Sequence, residues 1–266
     1  MQAGSTDGTR GSAGEESAWV ARLPSFSCAI GVMAKSPRPG YSKTRLCPPL
    51  TPEQAARLSG AFLRDTTENM AAAGRIAPIQ GYAAYAPRGT EALLRPHLAP
   101  GMRWLVADGS IPTPEGIEGF GRCLFHAMQG QFEDGHAAAC VLSSDTPTLP
   151  TANLISAATL LSDGGEDCVV LGACDDGGYY FLGMRRLHAR LFADIAWSTD
   201  TVADTTRRRA AELGLRLIEL PQWYDVDDAA SLITLLSDRQ GYAAPWTRRA
   251  LAELAVGDLL AGSPAA

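Results

Sequence analysis

The chain has 266 residues, 46% hydrophobic and 20% charged, with a net charge of −6. Such a composition buries a core and excludes global disorder, and an acidic chain lacks the basic surface of a general nucleic-acid binder. No apolar run reaches the roughly 20 residues that span a bilayer, which excludes a membrane span, and the six cysteines contain no CxxC pair, which points to a reduced, cytoplasmic protein without disulfide framework or zinc site.

Residues 1–25 open with a Gly-, Ser- and Thr-rich stretch that lacks an apolar core, and they are expected to form a flexible tail and not a secretory signal. Cys28–Ala34 is an apolar run of buried-strand length. Thr51, Pro52 and Gln54 then supply an N-cap, a first-turn proline and a capping box for a helix running to about Ala73. Ile79–Tyr85 and Arg103–Ala107 read as strands. Gly116–Phe132 carries Phe120, Leu124, Met128 and Phe132 at helical spacing. Ala138–Ser143 is a strand, and Thr151–Leu161 a helix introduced by Pro150. Cys168–Ala173 and Tyr179–Met184 are strands, Thr199–Leu213 a helix, Leu215–Leu220 a strand and Asp227–Ser237 a helix. Near-continuous apolar strands alternating with helices predict a mostly parallel central sheet covered on both faces. Residues 26–240 would form this domain and 241–266 a helical extension. Within it, Pro245–Leu260 is expected to be one amphipathic helix, either covering the sheet or mediating a homodimer.

Four segments carry candidate chemistry, each after a strand, where open α/β sheets bind ligands. The first holds Lys35, Arg38, Lys43 and Arg45 around Pro37, Pro39 and Gly40. Such a loop is stiff, lets backbone approach a ligand, and presents cations to phosphate. The alternative is a solvated basic loop. It matches neither the Walker A nor the GxGxxG pattern. Second, Asp145 ends the run Val141–Leu142–Ser143–Ser144, as a ligand for a hard cation such as Mg²⁺ or Mn²⁺ or as a turn cap. Third, Asp175-Asp176-Gly177-Gly178 joins two strands, as a hairpin turn or a hydroxyl-binding site. Fourth, Asp225-Val226-Asp227-Asp228 offers a second metal carboxylate, although Asp227 would also make a good N-cap.

The ordered set KSPRPGYSKTRL, PPLTPEQAARL, SSDTPTLP, DDGGYYFLG, WSTDTV and DVDDAASL resembles the bacterial DUF2064 family, whose members are described as glycosyltransferase-like proteins of the GT-A superfamily. The first segment is also similar to the nucleotide-binding loop of 2-phospho-L-lactate guanylyltransferase and molybdenum-cofactor guanylyltransferase. The resemblance implies a three-layer α/β/α GT-A (nucleotide-diphosphosugar transferase) fold. It implies nucleotide contacts from Ala34, Lys35, Gly40, Lys43, Thr44, Arg45 and Arg122. It further implies Mg²⁺ or Mn²⁺ on Asp145, with Asp227 as second ligand and Asp225 as competitor. Asp176, Gly177, Gly178 and Tyr179 would meet the acceptor, with Trp197 and Ser198 lining the pocket. The family's Asp-Val-Asp-Thr is Asp-Val-Asp-Asp here, and its later Asp-Leu is Ser231-Leu232.

The expected partners are a nucleotide and a small-molecule acceptor. The leading expectation is transfer of a nucleotidyl group from an NTP to a small phosphorylated substrate with release of pyrophosphate, Lys43, Arg45 and the Asp145-bound metal stabilising charge. Glycosyl transfer from a nucleotide sugar is the alternative, with Asp175 or Asp176 as general base. Ser143-Ser144-Asp145 lacks the first acid of a DxD motif, which favours nucleotidyl transfer. A non-catalytic nucleotide-binding module is the third reading.

Overall fold

The computed structural model describes residues 26–262; the expected tail at 1–25 lies outside the described residues. In chain order the elements are β1 (Cys28–Lys35), α1 (Pro52–Gly74), β2 (Ile79–Ala86), α2 (Glu91–Leu94), β3 (Arg103–Val106), α3 (Phe120–Glu133) and β4 (Ala138–Leu142). There follow α4 (Thr151–Asp163), β5 (Cys168–Ala173), β6 (Tyr179–Met184), α5 (Val202–Glu212), β7 (Arg216–Glu219), α6 (Ala229–Ser237), α7 (Pro245–Glu253) and α8 (Val256–Gly262).

The strands form one seven-stranded sheet in the order β3-β2-β1-β4-β6-β5-β7. All neighbours run parallel except β6, which is antiparallel to both β4 and β5. The expected mostly parallel sheet is therefore present, and its single reversal follows from the short turn between β5 and β6, which only an antiparallel pair can use. Alternation along the strands feeds two cores. Ile30, Val32, Cys140 and Val170 face α1 and α4, while Val141, Val169, Leu171 and Leu182 face α3 and α5. The result is the three-layer α/β/α architecture of the GT-A fold.

Between β1 and β4 the chain order reverses: β2 and β3 lie on one side of β1, and β4 on the other. Open α/β sheets place a ligand crevice at such a switch point, outside the carboxyl ends of the strands. Val32 pairs with Leu142, so the basic loop after β1 and the Asp145 loop after β4 leave the sheet side by side.

A third cluster lies beyond that edge. Leu46 from the first loop, Phe62 from α1, Val226 from the loop after β7, Leu235 from α6 and Leu251 from α7 pack together. Burial of each such side chain contributes about 1.5–3 kcal/mol, which fixes both loops next to the switch point.

Element boundaries differ from expectation where backbone conformation overrides pattern. Helix α3 starts at Phe120, not Gly116, because Gly116 and Gly119 have φ of 81° and 53°, outside the helical region. Helix α5 starts at Val202 and not Thr199, since Thr199 Oγ1 donates to the Ala196 carbonyl and accepts the Thr201 N–H in a local turn ahead of the helix. The C-terminal segment is two helices, broken where Ala255 has φ of 48°. Helix α7 packs on α1, where Asp65, fully buried, accepts the backbone N–H groups of Trp246 at 3.2 Å and Thr247 at 2.6 Å. Among the described residues no helix is long and apolar enough to cross a membrane.

Candidate functional site

The loop after β1 closes on itself. Ser42 Oγ donates to the Ser36 carbonyl at 3.0 Å and accepts the Arg38 N–H at 3.1 Å. Gly40, with φ of 75°, makes the turn that side chains resist. Arg38 stacks on the exposed Tyr41 ring at 4.5 Å. The loop then delivers Lys43, in a left-handed conformation, into the switch point.

There the Lys43 ammonium donates to Asp145 Oδ1 at 2.8 Å, Asp227 Oδ1 at 2.7 Å and the Val226 carbonyl at 2.7 Å. These partners occupy its three donors. Its side chain is only 6% exposed, against 34% for Asp145 and 36% for Asp227. Burial works against the charge, but attraction to Asp145 and Asp227 outweighs it, and the Lys43 pKa stands above the ordinary lysine value. Arg45 is 74% exposed and reaches Asp227 at 3.8 Å.

The Asp227 carboxylate is available to Lys43 because Asp228, and not Asp227, caps α6. Asp228 Oδ1 accepts the Ser231 N–H at 2.9 Å, and Ser231 Oγ accepts the N–H groups of Asp227 and Asp228. The two departures from the family pattern, Asp228 and Ser231, are thus partners in one capping box. On the other side, Val226 N–H donates to the Asp145 carbonyl at 2.9 Å, tying the β4 and β7 loops together.

Asp225 lies beside this group without a hydrogen bond or ion pair of its own among the described residues. Burial raises its pKa, as do Asp176 and Asp227, while Lys43 opposes them, and the balance is about 7. Several carboxylates held this close repel one another unless a cation joins them, and oxygen donors of this kind suit Mg²⁺ or Mn²⁺. A further acid–thiol group, Cys174, Asp176 and Asp225, offers ligand atoms within 4.8 Å of one another.

Lys43, Asp145 and Asp227 border a cleft of about 470 Å³, within the range of small-molecule sites. Lys35, Lys43, Thr44, Arg45, Asp145 and Asp227 line it on the loop side. Met33, Ala34, Ala84, Ala107, Cys123 and Leu124 make an apolar floor towards β2 and β3. Phe120 and Tyr179 form a wall, and Trp197 stands edge-on behind both, with ring centroids at 6.0 and 6.5 Å. The Tyr179 hydroxyl is buried without a partner.

Other candidate residues have structural employment. The Arg122 guanidinium donates to the carbonyls of Gly109 and Ile111, each at 3.0 Å, and to Thr113 Oγ1 at 2.8 Å, so it braces the loop after β3. Gly177, with φ of 86°, leaves no room for a Cβ, which would sit 1.9 Å from the Asp200 carbonyl. Gly178 N–H donates to Asp176 Oδ1 at 2.8 Å, fixing that carboxylate at the turn. Ser198 is exposed in the turn before α5. Sequence reasoning missed Cys174, Phe120 and Cys123 as site residues: Cys174 reads as the residue after a buried strand, and the other two as part of an amphipathic helix.

Comparison with known proteins agrees with this architecture. A Desulfovibrio desulfuricans G20 protein named provisionally as a nucleotide-diphospho-sugar transferase superposes with a TM-score of 0.72 at 24% identity, covering 87% of this chain and 98% of its own. A nucleotidyl transferase from Methanothermobacter superposes with a TM-score of 0.51 at 13% identity, covering 80% of this chain and 96% of its own. At these identities the likeness is one of fold. No curated protein matches the chain. Over residues 70–199 the chain matches the model of DUF2064, described as an uncharacterized protein conserved in bacteria, and this bears out the family resemblance that SSDTPTLP and DDGGYYFLG carry.

Proposed function

We propose that the protein is a metal-dependent nucleotidyltransferase that moves NMP from an NTP to a small phosphorylated acceptor. The observation that carries this reading is the charge pattern of one cleft: Lys43 locked between Asp145 and Asp227 at its base, with Lys35 and Arg45 exposed at its rim. Arg45 can meet two phosphate oxygens at once and Lys35 one. The apolar floor beside Ala34 and Ala107 suits the flat face of a nucleobase.

In the transfer, an acceptor phosphate oxygen attacks the α-phosphorus. A new P–O bond forms as the bond to the β-phosphate breaks, and pyrophosphate leaves with the electron pair. Chemistry of this kind asks the protein for in-line positioning and charge stabilisation more than for a nucleophile. Arg45 and Lys35 would hold the leaving phosphates. Lys43 would keep Asp145 and Asp227 at fixed spacing. Tyr179 would wall the cleft beside the acceptor. Asp145 and Asp227 fit a hard divalent ion, which when bound would neutralise phosphate charge.

The test is product analysis after incubation with a panel of NTPs and nucleotide sugars, with and without Mn²⁺. Pyrophosphate release from an NTP, dependent on an acceptor phosphate, is the expected outcome. Release of a nucleoside diphosphate from a nucleotide sugar would replace this reading with glycosyl transfer. Metal-dependent binding without turnover of either class would leave a nucleotide-binding module.

A further inference from the structure

The Lys43 ammonium satisfies Asp145 and Asp227 but leaves the neighbouring carboxylates unmatched. Its three donors are committed, and among the described residues no lysine, arginine or histidine pairs with Asp176 or Asp225. Against these two acids lies the Cys174 thiol, 5% exposed and without a hydrogen-bond partner among the described residues. Two carboxylates beside it disfavour its thiolate form, and a divalent cation held between the three groups would reverse that preference. Cys174 reaches this point because it directly follows β5, where a bridge to Trp223 brings the loop after β7 alongside. Asp176 enters from the β5–β6 turn, and Asp225 from two residues beyond Trp223.

We propose that Cys174, Asp176 and Asp225 form a binding site for a borderline-soft divalent cation such as Zn²⁺ or Co²⁺, loaded without nucleotide. One ligand atom from each residue already lies within 4.8 Å of the others. Bonds of about 2.3 Å to sulfur and 2.0 Å to oxygen bring tetrahedral ligand atoms to roughly 3.3–3.6 Å apart. A rotation of the exposed Asp176 side chain that exchanges its Gly178 N–H contact for the metal closes that difference. On loading, the S–H bond breaks, a sulfur–metal bond forms and the proton passes to solvent. Thiolate softness selects Zn²⁺ or Co²⁺ over Mg²⁺ and Ca²⁺. Three protein ligands leave at least one coordination position open. The site differs from the all-oxygen arrangement on Asp145 in needing no phosphate, and it stands whether the transferred group is nucleotidyl or glycosyl.

The experiment is titration of the full chain with Co²⁺ in the absence of nucleotide, followed by near-ultraviolet absorption. A thiolate-to-cobalt charge-transfer band that saturates at one ion is expected. It should vanish in Cys174→Ser and persist in Asp145→Asn. Asp176→Asn should keep the band at saturation but weaken Co²⁺ binding by at least about tenfold, a loss seen even for outer-sphere partners. Absence of the band in the unmodified protein, or its survival in Cys174→Ser, overturns the proposal. Should Cys174→Ser fail to fold, X-ray absorption of the zinc-loaded natural chain reads the same bond. A sulfur at about 2.3 Å supports the site, and a shell of oxygen and nitrogen alone refutes it. A cobalt band without any transferase turnover would leave the cation site standing and remove the catalytic reading; turnover without the band would do the reverse.

Discussion

Replacing Lys43 by Met removes the one cation that joins Asp145 to Asp227 while preserving most of the side-chain volume. Its ammonium makes contacts of 2.8, 2.7 and 2.7 Å and is 6% exposed. Removing one member of a buried pair costs about 3–5 kcal/mol because the other charge is left unpaired. Here the two carboxylates are about a third exposed, and water recovers part of that loss, so about 2 kcal/mol is the reasoned value. For a domain of this size each kcal/mol moves Tm by about 2–4 °C, so Lys43→Met should melt about 4–8 °C lower in chelator at pH 8. Adding Asp145→Asn should recover part of the deficit, because it removes one of the carboxylates left facing each other, and the double variant should be less than additive. Differential scanning calorimetry of the four proteins supplies the cycle. If Lys43→Met melts within about 1 °C of the unmodified chain, as a neutral surface change would, Lys43 is not the tie between these loops.

Asp225 sets a pH signature. Its folded pKa of about 7 stands above the unfolded carboxylate value near 3.9, so the native state holds a proton that the unfolded state has lost. Metal-free protein should therefore lose stability as pH rises from about 4 to about 7. Thermal melts of Asp225→Asn should show a shallower fall over that window; an unchanged slope would refute the assignment. Arg122→Ala should lower Tm through loss of three hydrogen bonds, yet leave the salt dependence of nucleotide binding unchanged in calorimetric titration; a reduced salt slope would mean that Arg122 meets phosphate. Asp65→Ala should cost about 1–2 kcal/mol by uncapping α7, read as an earlier denaturation midpoint, while Co²⁺ affinity stays the same.

What the sequence displayed and what it hid separate along the distance between interacting residues. The Thr51–Gln54 capping box, the apolar strands and the loops at their carboxyl ends depend on neighbours within a few positions, and periodicity reveals them. The choice between Asp227 and Asp228 as the α6 cap does not. Both are good caps, and what frees Asp227 is a lysine 184 positions away. The same distance hid the fate of Lys43, which as a loop cation reads as a phosphate ligand and in the fold is an internal counter-ion. Arg122 reads as a nucleotide contact through the family resemblance; its partners at 109–113 are near in sequence, but only folded geometry turns its guanidinium onto them. The break at Ala255 carries no glycine or proline, so a single amphipathic helix was the natural expectation there. Cys174 was masked by the strand it follows, since a thiol next to an apolar run looks like core until two carboxylates are folded against it.

The central claim is that the cations at the cleft rim and the carboxylates at its base act on the same polyphosphate. Calorimetric titration with NTP, in the presence and absence of Mn²⁺, tests it most directly when the natural chain is compared with Lys35→Ala/Arg45→Ala and with Asp145→Asn. The account predicts Mn²⁺-enhanced binding in the natural chain, loss of most affinity in the rim variant, and loss of the Mn²⁺ enhancement in Asp145→Asn. Binding of equal strength in all three proteins, with Mn²⁺ making no difference, would contradict it.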